Sequence, residues 1–261
     1  MADEHDAAAG FRGATFTGTD FTGAHFTGAD LTGATFRDCD LRRLKVVDSW
    51  LVDVDVSGLV ERFVVNDVDV TAYVEGELDR RHPARVQLRA VQTADDHRAM
   101  WDTIERLWAE AVERARQLPE AARQEQVDGE WSFVETMRHL VFATDAWAFR
   151  TVLDDPMPYD RLGYVHSSYP EADARALGIE PDARPSFDEV LAVRADRMAR
   201  VRGIVDGLTA DDLERVCERA PAPGYPEEPR TVRRCLRTVM TEEVEHHRYA
   251  VRDLAVLEAR G

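Results

Sequence analysis

The stretch TEEVEHHRYAVRDL, residues 241–254, holds three glutamates and two histidines in its first seven positions. Carboxylates and imidazoles one helical turn apart can hold a divalent cation, and which of them can do so depends on the face each occupies. Leu236, Val239, Met240, Ala250, Val251 and Leu254 mark one apolar stripe at helical spacing. Continued through the polar gap, the stripe lands on Glu243 and His247. Glu242 points away from it, and Glu245 and His246 sit off its edge or behind. Placing a carboxylate and an imidazole on a buried face is costly unless something pairs with them. His139, in MRHLVFATDAW, lies on the shoulder of another apolar stripe beside Leu140. His139, Glu243 and His247 therefore form the candidate metal set. Two imidazoles and one carboxylate leave coordination positions open, as a catalytic site requires. The competing reading is a hydrogen-bonded polar network inside the fold.

Amphipathic helices must carry these residues. MWDTIERLWAEAVERARQL places Met100, Trp101, Ile104, Leu107, Trp108, Ala111, Val112 and Ala115 on one side. Ser132 to Glu135 (SFVE) and Ser186 to Glu189 (SFDE) are capping boxes that open two further helices. The last helix starts near Thr231. Four helices of this kind predict a four-helix bundle with one or more long crossovers over residues 95–261. The proline-rich connection over 154–185 is too long for a tight turn, and Tyr164 and His166 within it are candidate substrate-binding residues.

A second pattern occupies the other end of the chain. Phe11, Phe16, Phe21, Phe26, Leu31, Phe36, Leu41, Val46, Leu51 and Val56 recur every five residues, with a small residue two positions before most of them. Neither a helix nor a strand repeats with that period, so each pentad must form one side of a coil. The run resembles the pentapeptide-repeat family, which implies a right-handed, four-sided parallel β-helix, here over residues 11–75 with a degenerate end. At four pentads per turn this gives two and a half turns, so the coil is expected to pack on the rest of the chain or on another copy. Residues 76–94, with Pro83, read as the linker. The fold class is thus mixed β and α, a short β-helix followed by a helical bundle.

Composition narrows the function. With 261 residues, 44% hydrophobic and 32% charged, the chain can bury a substantial core. A net charge of −17 disfavours nucleic acid as a partner. No apolar run reaches the length of a membrane span, and the three cysteines form no CxxC pattern, so a cytoplasmic setting without a membrane partner is expected. No dinucleotide fingerprint, phosphate loop or serine elbow is present. A small-molecule substrate and a homo-oligomer are the expected partners. Arginine outnumbers lysine 32 to one, Lys45 being the single lysine, a bias like that of a high-GC bacterial genome.

RHLVFATDAW together with EEVEHHRYAVRDLAVLE resembles the DinB/YfiT superfamily of four-helix bundles over residues 95–261. The resemblance implies a divalent metal held by one histidine of the second helix and an i, i+4 pair of the last. The usual last-helix pattern there is H-x-x-x-H followed by Arg. His247-Arg248 matches its end, while Glu243 stands at its first position. On this basis the resemblance implies His139, Glu243 and His247 as ligands, zinc as the foremost metal with nickel or iron as alternatives, and a harder, more anionic site than one with a third imidazole. It also implies thiol-dependent S-transfer, with the arginine bias favouring mycothiol as co-substrate. The alternatives are hydrolysis or isomerisation without a thiol, or a non-catalytic, stress-associated binding protein.

Overall fold

The computed structural model describes residues 10–166 and 169–260. The chain divides into two compact units, Met1–Val46 and Val47–Gly261.

In the first unit the five-residue period is visible in the backbone itself. One residue per pentad, two after the large apolar one, has a left-handed conformation: Gly13 (φ 73°), Gly18 (60°), Gly23 (77°), Gly28 (62°), Gly33 (75°), Asp38 (52°) and Arg43 (63°). A Cβ added at the glycines would meet nothing within 4 Å, so backbone conformation rather than space selects glycine there. Alternate pentads close a turn by a backbone bond, as from Ala14 N to Phe11 O (2.9 Å) and from Ala24 N to Phe21 O (2.9 Å). Among the described residues no parallel ladder joins the pentads, so the backbone shows the five-residue period and its local turns and does not by itself show the expected β-helix.

In the second unit a small hairpin, β1 (Val64–Val65) with β2 (Val68–Asp69), turns through Asn66 and Asp67, both left-handed as a tight hairpin turn requires. Helices α1 (Thr71–Arg81) and α2 (Ala84–Ala90) follow. The stretch 76–94, expected as a linker, is therefore mostly helical. Pro83 separates the two helices and sits at the entry to α2, where its missing N–H costs nothing. Leu88 and Val91 from this stretch are buried in the core of the helical unit.

That core is built by α3 (Ala94–Gln117), α5 (Phe133–Thr144), α7 (Phe187–Asp206) and α9 (Val232–Glu258), with the short α4 (Glu120–Arg123), α6 (Glu171–Ala176) and α8 (Ala210–Glu214) in the connections. Helix α3 touches α9 and α7, and α5 touches the same two, so α3 and α5 stand on opposite corners of a square. Trp101, Ile104, Met137, Leu140, Phe187, Leu236 and Met240 fill the centre. Both expected capping boxes form: Ser132 and Glu135 exchange bonds of 3.2 and 2.8 Å at α5, and Ser186 and Glu189 do so at α7 (3.3 and 2.8 Å). Helix α5 continues as a π-helical segment, Asp145–Val152. The pair β3 (Val216–Cys217) and β4 (Arg230–Thr231) sets the entry to α9. Among the described residues no helix is long and apolar enough to cross a membrane.

Candidate metal centre

Helices α5 and α9 pack side by side, and three side chains meet where they do: His139 from α5, Glu242 and His246 from α9. One donor atom from each lies within 4.8 Å of the others. His139 Nε2 is 3.3 Å from Glu242 Oε2, and His246 Nε2 is 3.1 Å from the same oxygen. His139 is 6% exposed, and Glu242 and His246 are half-buried, so the cluster lies at the edge of the core rather than in its centre.

The other ring nitrogen of His139 decides what the cluster can hold. Nδ1 lies 3.0 Å from the carbonyl oxygen of Tyr164, an acceptor only, so Nδ1 carries the hydrogen and donates it. A neutral His139 therefore turns the bare lone pair of Nε2 toward a carboxylate. Burial lowers the pKa of His139, against the opposing pull of Glu242, which favours the neutral ring. Burial also pushes the Glu242 carboxyl up, but its contacts with His139 and His246 more than offset this and hold it below the usual carboxylate range. With Nδ1 donating to Tyr164, His139 Nε2 and Glu242 Oε2 at 3.3 Å need either a shared proton or a cation between them. An imidazole oriented by a backbone carbonyl, with a second imidazole and a carboxylate, is a donor set that fits a divalent metal such as zinc.

Consecutive residues of α5 place the long connection. Arg138, 1% exposed, donates to the carbonyls of Leu162, Glu180 and Ala183 (each 2.9 Å) and weakly to Gly163 (3.4 Å). One guanidinium thus gathers the two ends of 162–183 and delivers the Tyr164 carbonyl to His139. Arg138→Ala is expected to cost about 2–4 kcal/mol, since it strips charged donors from several enclosed carbonyls. Faster amide exchange at 162–166 in hydrogen-exchange mass spectrometry is the accompanying sign; unchanged exchange there would contradict the clamp.

Aromatic rings wall the cluster. Trp131, just before the α5 cap, lies nearly parallel to the His246 ring (5.6 Å between centroids, 15°) and tilted against His139 (4.6 Å). Tyr164 meets Trp131 edge-on at 5.6 Å. His166 packs on Tyr169 and Tyr225 at 5.6 and 6.2 Å. Burial lowers its pKa, while the charge of Glu242 pulls the other way, placing His166 within electrostatic reach of the cluster.

The structure does not bring Glu243 and His247 to His139. Glu243 is buried, as the apolar period requires, but it faces α7, where Arg194 Nη2 meets Glu243 Oε2 at 2.5 Å. His247 packs edge-on against Trp108 of α3 at 5.2 Å, and burial lowers its pKa to about 4. The positions joined to His139 are one residue earlier, in the same spacing. EEVEHH contains two overlapping E-x-x-x-H pairs, and the second pair follows the core stripe while the first faces α5. The apolar period shows which side chains are buried. A site that a substrate must reach belongs at the edge of that stripe, and Trp131 ahead of the SFVE cap was the overlooked sign of where the edge is.

A family model described as DinB superfamily matches residues 103–250, and one described as pentapeptide repeats matches residues 9–43 in eight copies. No curated protein matches the chain. No solved structure matches it either. The matched stretch, more than half of the chain, contains His139, Glu242 and His246, and on this basis the chain belongs to the DinB superfamily.

Proposed function

We propose that the chain is a metal-dependent thiol S-transferase of the mycothiol type, with His139, Glu242 and His246 holding the metal. The observation that carries this reading is His139, held by Nδ1 on the Tyr164 carbonyl at 3.0 Å, with Nε2 3.3 Å from the Glu242 carboxylate that His246 also meets. A divalent metal at such a site supplies Lewis acidity and lowers the pKa of a coordinated thiol. The chain's own residues do the rest. The Tyr164 carbonyl fixes the orientation of His139, and Trp131 shields the His246 side of the cluster from water. Tyr164 and His166 line the approach from the long connection, where they are suited to seat the electrophilic substrate. Zinc suits two imidazoles and one carboxylate, with nickel or iron as the alternatives. The arginine bias supports mycothiol over other low-molecular-weight thiols. The pentad run is proposed as a scaffold in coiled, β-helical form rather than as a nucleic-acid mimic.

The test is turnover of a generic electrophile, such as a chlorodinitrobenzene, with mycothiol. Thiol-dependent conjugation that chelation abolishes and zinc restores is expected. Turnover that ignores the thiol but needs the metal would point to hydrolysis or isomerisation instead.

A further inference from the structure

Cys217 and Cys235 are both free, and both are buried in the core of the helical unit, at 3% and 0% exposed. Backbone pairing brings their elements together. Cys217 lies on β3 opposite Arg230 of β4, and Val232, the first residue of α9, donates its N–H to the Arg215 carbonyl at 3.0 Å. The start of α9 is thus held against the start of β3, and Cys235 stands in the first turn of that helix. A hydrogen bond joins the two thiols. That bond, helped by the charge of Arg215, holds the Cys217 thiol below its ordinary range, against burial and the charge of Asp154. The same bond, with burial, pushes Cys235 up against the charges of Arg230 and Arg234. One sulfur is therefore the better nucleophile, and the other keeps its proton. The cover over Cys217 is thin, because β3 has two residues and both chain neighbours, Val216 and Glu218, are exposed. No CxxC spacing marks the pair in the sequence, since the whole β3–β4 connection separates them.

We infer that Cys217 and Cys235 form a redox site, in which a peroxide oxidises Cys217 and Cys235 then closes an intramolecular disulfide. The Cys217 thiolate attacks one peroxide oxygen, the O–O bond breaks, and the departing hydroxide takes up a proton as water. The Cys235 sulfur then attacks the resulting sulfenic acid at sulfur, forming the S–S bond and releasing a second water that carries away the Cys235 proton. Two thiols give up two electrons and two protons, and one peroxide becomes two waters. A low-molecular-weight thiol reopens the bond by exchange and leaves as its own disulfide. The bond staples β3 to the helix that carries Glu242 and His246, and it does not depend on the metal reading of those residues.

The experiment follows the thiols of the full chain, with the exposed Cys39 as internal reference. Reduced protein, freed of reductant, is treated with graded hydrogen peroxide, denatured in N-ethylmaleimide and analysed by mass spectrometry. At doses that leave Cys39 able to take the label, Cys217 and Cys235 should lose it together. A peptide joining the two should appear, lighter by two hydrogens than its parts. Incubation with a low-molecular-weight thiol should restore the label at both. Cys235→Ser should leave a sulfenic acid on Cys217 that dimedone captures. Cys217→Ser should slow the oxidation of Cys235 by more than about tenfold, because the thiolate and not the thiol is the nucleophile. Circular dichroism of each sample reports that the helices are intact. A folded parent whose pair keeps its label at doses that consume Cys39 overturns the inference, as does a cross-link through Cys39. Equal oxidation of Cys235 with and without Cys217 overturns it too, since Cys217 would then not be the attacking sulfur.

Discussion

Glu243→Ala is expected to lower stability by about 3–5 kcal/mol, because it leaves the Arg194 guanidinium charged, buried and alone. Arg194 is 4% exposed and Glu243 1%, and among the described residues Arg194 Nε and Nη1 meet no hydrogen-bond partner even in the intact pair. Burial pushes the Glu243 carboxyl up, against the charge and hydrogen bond of Arg194, so the carboxylate depends on Arg194 as much as the reverse. The pair ties α9 to α7 and fixes the rotation of α9, which is what aims Glu242 and His246 at α5. Replacing both partners at once, Arg194→Met with Glu243→Leu, should recover most of the loss, since an apolar pair of similar volume avoids the desolvation that the ions incur. Thermal unfolding followed by circular dichroism checks both: a drop on the order of 10 °C for the single variant and a much smaller one for the double. A single variant as stable as the parent would show that the pair does not hold the helices.

The second large effect is on metal rather than stability. His246→Ala should weaken metal binding by more than about 100-fold, beyond the loss seen when a residue merely supporting a ligand is removed. His247→Ala should leave it unchanged, because its ring lies against Trp108 on the α3 side. Glu242→Gln should fall between, an amide oxygen being a weaker ligand than a carboxylate for a hard divalent ion. Competition with a chromogenic chelator measures all three. Equal losses at His246 and His247 would mean that α9 presents another face to α5.

The bundle was legible in the sequence because its signals are local. Apolar spacing gave α3, α5, α7 and α9, and the Ser132 and Ser186 caps marked where two of them begin. His139 was legible for the same reason, as an imidazole on the shoulder of a stripe. The last-helix pair was misplaced by one position because a one-dimensional period cannot distinguish a polar side chain buried for an ion pair from one at the edge of a site. Glu243 satisfies the period through Arg194, a partner 49 residues away that no spacing reveals. The pentad period was equally plain, and the left-handed backbone position it requires is present in every pentad of the first unit. The lateral pairing that would make a β-helix depends on contacts between distant pentads, which a repeat in sequence does not by itself supply.

The most direct measurement of the central claim is the metal content of the unaltered full-length chain, loaded with zinc, dialysed against a metal-free buffer and measured by elemental analysis. The account predicts about one ion per chain, as expected for a site with a single set of three protein ligands. A chain that is folded by circular dichroism yet retains less than about a tenth of an ion per molecule would contradict it, because His139, Glu242 and His246 would then be a hydrogen-bonded network and not a metal centre.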